Sequence, residues 1–534
     1  MDLNETFRSA YDALVSKPSS ILPFYFMSVS VPAVARVAPI LTGVFVYLAL
    51  LRRGNIEEIQ EVIDGIPFDE FQGVEDPEAF EEVEGIETAL SELSQLVFVP
   101  EVIAVVVASV VVFAALLVVL NAAVSAGQIN AIYSVLTDGG ATHVEDDGTS
   151  DSRFDDPLAD GGEAGVDHLE RGVEGVFEDT VTLALLRLLE VFLMLAVTGV
   201  LFLAGVVFLP GGGALAVAVG FLLFLVWLLA VLVIHVFFIF APQSVVVDGV
   251  GVFGAVRGNL GFITDNAVEF IAYLIFVLVA VIALASVSGF FNVLGAPAAT
   301  LLVAYLVFAP YIGVVKTDLY ARHAGDEVDV SDAAVDPGRV VAAFRRGWDE
   351  MVTFTVSRFG LVTVSGVLFL GSALAAWEVT QAADIAFETS IASRLEQTAL
   401  FGEFVNYTAN NWSVAVAQSY AGFVFGVATV VSLVFNGVVF GFLAATEQNL
   451  TELLAFVVPH GVIEIPALLI AGALGLHLGI VAVRYVRGGV DTDGVTDEVR
   501  NAYHVLVGLF VLFAVAGFIE AFISPYYYGP LLGI

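Results

Sequence analysis

An all-α bundle of membrane-crossing helices is the fold class this sequence predicts, and three observations predict it. Apolar runs of about 20 residues or more, each long enough to cross a bilayer, recur from Ile21 to Ile523. Apolar residues make up 58% of the chain and charged residues 14%, with a mean hydropathy of +0.92. Turn-forming and charged residues gather between the runs, as expected of a multi-pass plasma-membrane protein with about 10–11 transmembrane helices. Its one certain partner is the lipid bilayer.

The charge balance narrows the setting. The net charge is −38 over 534 residues, and lysine occurs only at Lys17 and Lys316. An acidic surplus confined to loops suits wet surfaces in molar salt, where the Debye length falls to about 3 Å; a salt-loving archaeon is the expected source. Such acidity argues against nucleic acid and anionic lipid headgroups as partners. With no cysteine, disulfides, thiolate metal sites and cysteine nucleophiles are excluded. Residues 1–20 are polar and mixed in charge, so no cleavable leader is expected.

In chain order, residues 2–16 predict an amphipathic helix with Leu3, Phe7, Tyr11 and Leu14 on one side and Arg8 and Asp12 beside them. The pattern returns at Val340, Phe344, Trp348 and Met351 with Arg345 and Asp349, and more loosely at Val252, Val256, Leu260 and Ile263 with Arg257. Each copy precedes an apolar run, which predicts interfacial elbow helices on a repeated unit. The first span, Ile21 to Leu51, contains Pro32 and Pro39 and carries Arg36 as an intramembrane charge. A kinked helix with Arg36 turned into the bundle is expected. Residues 54–99 are acidic without a base, and Ile56, Ile59, Ile63, Phe80, Val83, Leu90 and Leu93 suggest short surface helices.

A second span follows over Val99 to Val124, then an Asp/Gly/Ser-rich acidic stretch, 137–176, expected to be disordered. A third span (188–209), a turn at 210–213 and a fourth span (214–241) come next, with His235 read as a hydrogen-bonded packing residue. The fifth span (268–290) turns at Asn292 to Pro297 into a sixth that reaches Tyr320. The acidic linker 324–338 divides an N-terminal multi-span bundle, 1–325, from a second membrane domain, 326–534. A seventh span (352–376) leads to a polar surface helix, 377–411.

The run 412–445, ~51 Å as one helix, is too long for one crossing. A break is expected at Asn436-Gly437, with Leu453–Val458 as part of a re-entrant or short crossing. If the clustered basic residues are cytoplasmic, eleven spans result, Asn406, Asn411 and Asn449 face outward, and Arg52-Arg53 fall on the wrong side.

Near the C-terminus, Pro459-His460-Gly461-Val462-Ile463-Glu464-Ile465-Pro466 opens an apolar run, and a second run ends Ile519-Glu520-Ala521-Phe522-Ile523-Ser524-Pro525. A short polar loop joins them, which predicts an antiparallel helical hairpin. The first helix then starts where the second stops, and His460, Glu464 and Glu520 converge at one membrane face, the glutamates ~6–8 Å inside the helix ends. His460 and Glu464 are spaced to share a face. Two carboxylates in a poorly solvated place share a proton or a cation, and one histidine with two glutamates is also a zinc ligand set. A purely structural alternative stands beside this: Pro459-His460-Gly461 starts the helix, Glu464 complements its dipole and Glu520 locks the hairpin.

These residues also carry a resemblance. The pattern P-H-G-x-x-E-x-P, a span with Gly472, Gly475 and Gly479, then I-E-x-F-x-x-P through Pro525, resembles the stage II sporulation protein M family over about residues 380–534. Asn410-Asn411 before Gly422 and Gly426, and Asn436-Gly437 before Gly441, fit the same family; Ser524 stands where threonine is commoner. The resemblance implies a non-enzymatic membrane member of an assembly that recruits cell-wall hydrolases in spore-forming bacteria. An archaeon has neither endospores nor bacterial peptidoglycan, so the sporulation role stops at analogy. No H-E-x-x-H, G-x-S-x-G or phosphate-loop motif occurs, and no cofactor is expected.

Two functions follow as expectations. One is a non-enzymatic scaffold that assembles other membrane or envelope proteins. The alternative is a permease or channel-like subunit with a proton or cation site at His460, Glu464 and Glu520. The oligomeric state is not legible.

Overall fold

The computed structural model describes residues 3–66, 86–137, 167–208, 213–382 and 400–526. Among these residues no strand forms, and ten helices are long and apolar enough to cross a membrane. The all-α, polytopic expectation therefore holds. The N-terminal helices are α1 (Leu3–Ser16), α2 (Pro18–Ala35), α3 (Val37–Arg53), α4 (Asn55–Asp64), α5 (Ile86–Val97) and α6 (Pro100–Thr137). Next come α7 (His168–Phe208), α8 (Gly213–Phe238), α9 (Ala241–Val247), α10 (Val252–Asp265) and α11 (Ala267–Val293). A crossing over Ala299–Ala324, α12, contains a π-helical turn at Ala304–Phe308. The last six are α13 (Pro337–Ser357), α14 (Phe359–Ala382), α15 (Leu400–Tyr420), α16 (Val427–Thr446), α17 (Leu450–Val486) and α18 (Thr492–Phe522).

The chain forms two compact units. One is Val34–Leu117; the other joins Met1–Ala33 to Val118–Ile534. In the smaller unit, α3 stops at Gly54, whose φ of 79° lets its N–H close back on Leu50 and Leu51. Leu50, Val99 and Val102 form a small core with Ile56 and Ile59, and Arg53 donates to Glu101 at 2.6 Å. The short helices expected within 54–99 are present as α4 and α5; Phe80 and Val83 lie outside the described residues. Arg36 sits at the break between α2 and α3 and is exposed. The kink is where the sequence predicts it, but the side chain is not enclosed by a packed interior.

In the larger unit the elbow positions are occupied by α1, α10 and α13. α1 lies on α12: Thr6 Oγ1 donates to Asp318 at 2.7 Å and Tyr311 donates to the Phe7 carbonyl at 3.0 Å. α10 is pinned by Asn259, which accepts from Phe240 N at 2.8 Å and donates to the Val236 carbonyl at 3.0 Å. α13 opens with Asp336 capping Gly338 N ahead of the bulk of the helix, with Pro337 in its first turn. It then packs along α18 through Gly347 and Gly508. Disorder over 137–176 is corrected at its C-terminal end, because helix α7 starts at His168, held by Asp167 Oδ1 on Leu169 N at 3.1 Å. Residues 138–166, the turn at 209–212 and 383–399 lie outside the described residues.

The C-terminal topology departs from expectation in two places. The break in the long run falls at residues 421–426, not at Asn436-Gly437. There a 3-10 turn over Ala421–Phe423 is followed by positive φ at Phe425 (53°) and Gly426 (74°). Asn436 and Gly437 sit inside α16, where Gly437 lets the backbone of α14 approach at Phe369. The polar residues 400–411, placed at the surface by sequence, form the first half of α15. That helix runs antiparallel beside α18, with Thr408 near Gly517, Trp412 Nε1 donating to the Leu506 carbonyl at 2.8 Å and Tyr420 reaching the Val499 carbonyl at 3.5 Å. α15 is not among the ten apolar candidates, yet it lies alongside α18 from Thr408 at Gly517 to Tyr420 at Val499. Asn411 consequently lies in mid-helix, and Asn406 accepts from Ala298 N at 3.0 Å; neither is a free outward loop residue.

α17 begins at Leu450, where Asn449 accepts from Thr451 N and Glu452 N. It runs through Pro459 and Pro466, so Pro459-His460-Gly461 is not a helix start and Leu453–Val458 is not a separate crossing. Proline is tolerated inside transmembrane helices because neighbouring groups re-satisfy the freed carbonyls. Val490 lies in the loop between α17 and α18, flanked by Arg484, Arg487 and Arg500. By the positive-inside rule that loop is expected on the cytoplasmic side. A cysteine at position 490, the sole thiol in the chain, is expected to resist a membrane-impermeant maleimide in intact cells and to react after lysis. Ready labelling from outside would invert this topology.

Candidate functional site

α17 and α18 form the expected antiparallel hairpin, and neighbouring helices wrap it closely. Gly422, in the turn after α15, meets the backbone of α17 at Gly475, and Gly479 meets Gly426. The absence of Cβ atoms permits these approaches. Polar side chains fasten the same seam: Gln418 Nε2 donates to the Leu468 carbonyl at 3.1 Å, Ser419 to the Ala471 carbonyl at 3.0 Å and Thr429 to the Gln418 carbonyl at 2.8 Å. Phe26 of α2 stands edge-on to Trp412 at 5.2 Å between ring centres, and Leu474, Leu478, Leu506, Leu509 and Phe513 fill the centre of this core.

His460, Glu464 and Glu520 meet. One ligand atom from each lies within 4.8 Å of the other two, and His460 Nε2 is 4.0 Å from Glu520 Oε1. His460 projects across the hairpin because it lies one turn before Glu464 on the same face of α17, opposite the last turn of α18. Its Nδ1 is 3.3 Å from Ser524 Oγ, and the Phe456 ring stands edge-on to the imidazole at 5.6 Å. Glu464 Oε2 is shut from solvent and has no hydrogen-bond partner among the described residues. Glu403 of α15 acts on Glu520 electrostatically from a third helix.

The supporting motif residues are more dispersed. Gly461 is buried, but a Cβ there would meet only side chains of its own helix. Pro466 is exposed and Pro525 half-buried. Asn410 donates to its neighbour Asn411 at 3.1 Å, and Asn436 to the Ser432 carbonyl one turn back at 2.8 Å. None of the three asparagines takes part in the His460 cluster.

Sequence reasoning missed a second polar group at the other end of the hairpin. His477 Nε2 is 3.0 Å from Glu498 Oε1, while Arg358 donates to His477 Nδ1 at 3.2 Å and lies 3.6 Å from Glu498. The signal was present: in an antiparallel hairpin turning near Val490, the symmetry that pairs His460 with Glu520 also pairs His477 with Glu498. A third group, in the N-terminal part, joins His235 Nδ1 to Glu190 at 3.0 Å with Arg187 as a further partner of Glu190. His235 is thus hydrogen-bonded, with a buried carboxylate from the neighbouring crossing as its partner.

Fold and site together define an integral, multi-pass membrane protein of the all-α class whose C-terminal part is a glycine-packed hairpin core. Residues 359–525 match the family model of stage II sporulation protein M. The match opens with the first residue of α14, so that crossing lies inside the similar region, which begins earlier than the motifs indicated. A 126-residue stretch, 23% of this chain, is 26% identical to 71% of an uncharacterized protein of Methanocaldococcus jannaschii. No solved structure matches the chain.

Proposed function

We propose that this protein is a non-enzymatic scaffold of the plasma membrane, an assembly component of a cell-envelope complex in a salt-loving archaeon. The observation that carries the reading is the backbone contact of the 421–426 turn, between α15 and α16, with α17 at Gly422–Gly475 and Gly426–Gly479. Helices fitted this closely, with polar side chains spent on each other's carbonyls, hold one arrangement; alternating access needs bundles that separate. The similarity to stage II sporulation protein M over 359–525 supports a membrane assembly role. The excess of acidic residues supports wet surfaces in high salt. In this reading 326–534 is the assembling module and 1–325 an accessory bundle.

A second reading, a cation-coupled permease subunit, is favoured by the buried, unpartnered Glu464 oxygen. Glu464→Gln separates the two. A scaffold retains its full set of co-purifying membrane partners when the tagged variant is isolated from native membranes in molar salt. A permease variant keeps its partners but loses most cation or proton flux in vesicles that the wild type supports. Wild-type protein that brings down no partner in stoichiometric amount would end the scaffold reading.

A further inference from the structure

The donor set at the end of the hairpin is that of a metal centre. His460 is 6% exposed, and its ring is flanked by Phe456 and Ser524. With the imidazole proton on Nδ1 and directed at Ser524 Oγ, Nε2 presents a lone pair to Glu520 Oε1, 4.0 Å away. Two acceptors facing each other at that distance favour a cation or a shared proton between them. Glu464 supplies a third acceptor, and its Oε2 has no donor within reach among the described residues. Glu403 adds further negative potential at Glu520, and no arginine or lysine is paired with any of the three residues among the described contacts.

From this geometry we infer that His460 Nε2 and one carboxylate oxygen each from Glu464 and Glu520 bind a single divalent transition-metal ion of the zinc class, fastening the end of the hairpin. One imidazole and two carboxylates are a borderline-soft, nitrogen-containing set that suits zinc better than magnesium or calcium, which take oxygen-rich shells. Two carboxylates and a neutral imidazole balance a dication in a low-dielectric place. Zinc–donor bonds of about 2.0–2.2 Å place tetrahedral ligands roughly 3.3–3.5 Å apart. The present separations, up to 4.8 Å, close with side-chain shifts of about 1 Å or less per ligand. Ser524 acts as the outer partner that fixes the imidazole tautomer, the usual arrangement for a metal-bound histidine. Water completes the shell. The site lies where α15 begins and α18 ends, at the end of the hairpin opposite the Val490 loop.

Metal binding is measured on the isolated full-length protein, so its outcome is independent of whether partners co-purify. The detergent-purified chain is stripped with a chelator, then dialysed against zinc chloride in molar potassium chloride with excess magnesium to saturate the acidic loops. The expected result is about one zinc retained per chain. Retention should fall at least tenfold in Glu464→Gln, Glu520→Gln and His460→Asn, and remain unchanged in His477→Asn at the opposite end. Circular dichroism and gel filtration establish that each variant is folded. Cobalt added to the stripped wild type should give the intense visible absorption of a four- or five-coordinate nitrogen–oxygen site, a readout that needs no variant. Wild type that retains no more zinc than the variants, or a cobalt spectrum indistinguishable from the hydrated ion, overturns the site and leaves a shared proton as the link between the glutamates.

Discussion

Gly422→Val is expected to prevent the C-terminal helices from docking and to abolish recovery of folded protein. A Cβ at Gly422 would fall on the carbonyl of Gly475, and the obstructing atoms are backbone, which cannot rotate away. Ordinary overpacking costs about 1–3 kcal/mol because side chains shift. Here two helices would have to part, breaking the bonds from Gln418 to Leu468 and from Ser419 to Ala471, each worth about 1 kcal/mol net. The combined loss should exceed about 4 kcal/mol, in the exceptional range for one substitution. Gly360→Ala is the control, since a Cβ there meets nothing within 4 Å, and its stability should change by no more than ~1 kcal/mol. Unfolding in mixed micelles followed by tryptophan fluorescence reads both. A Gly422→Val protein that melts with the wild type would mean that the turn at Gly422 does not touch the α17 backbone.

The second large effect is expected at Asp318, the fully buried acceptor that ties α1 to α12. Its carboxylate accepts from Thr6 Oγ1 at 2.7 Å and from Arg322 Nε at 2.8 Å. Asp318→Ala leaves Arg322 partly buried without its main partner, a loss of about 3–5 kcal/mol for one half of a buried pair. Arg322 retains Glu5 at 3.6 Å, which places the outcome towards the lower bound. The consequence is local: α1 should lift away and become sensitive to protease, while the core around Trp412 keeps its fluorescence. The double variant Asp318→Leu with Arg322→Leu should recover much of the protection, because replacing a buried pair by apolar residues is often near neutral. Protection of α1 unchanged in the single variant would remove Asp318 from this role.

The hairpin and its triad were legible because both rest on length and symmetry. Two apolar runs joined by a short loop must lie antiparallel, and His460, Glu464 and Glu520 then share one end. The kink at Arg36 and the short helices at α4 and α5 were legible from proline placement and period. What escaped notice was decided by partners distant in sequence. α15 reads as polar because Asn406, Gln418 and Ser419 spend their polarity on the carbonyls and amides of other helices, which no local average records. Gly426 reads as one more packing glycine, although with Phe425 it takes the positive φ that turns the chain. The start of α17 was misplaced because Pro459 resembles a first-turn proline, whereas Asn449 supplies the cap.

The two histidine–glutamate pairs sit at opposite ends of one hairpin, His460 with Glu520 and His477 with Glu498. They are separated by roughly 26 Å along α17 and 33 Å along α18, close to the ~30 Å depth of a hydrocarbon core. A ladder fixed at both rungs cannot slide one rail past the other. A membrane of different thickness is then met by tilting the hairpin as a whole or by deforming the lipid around it, and its internal register stays unchanged.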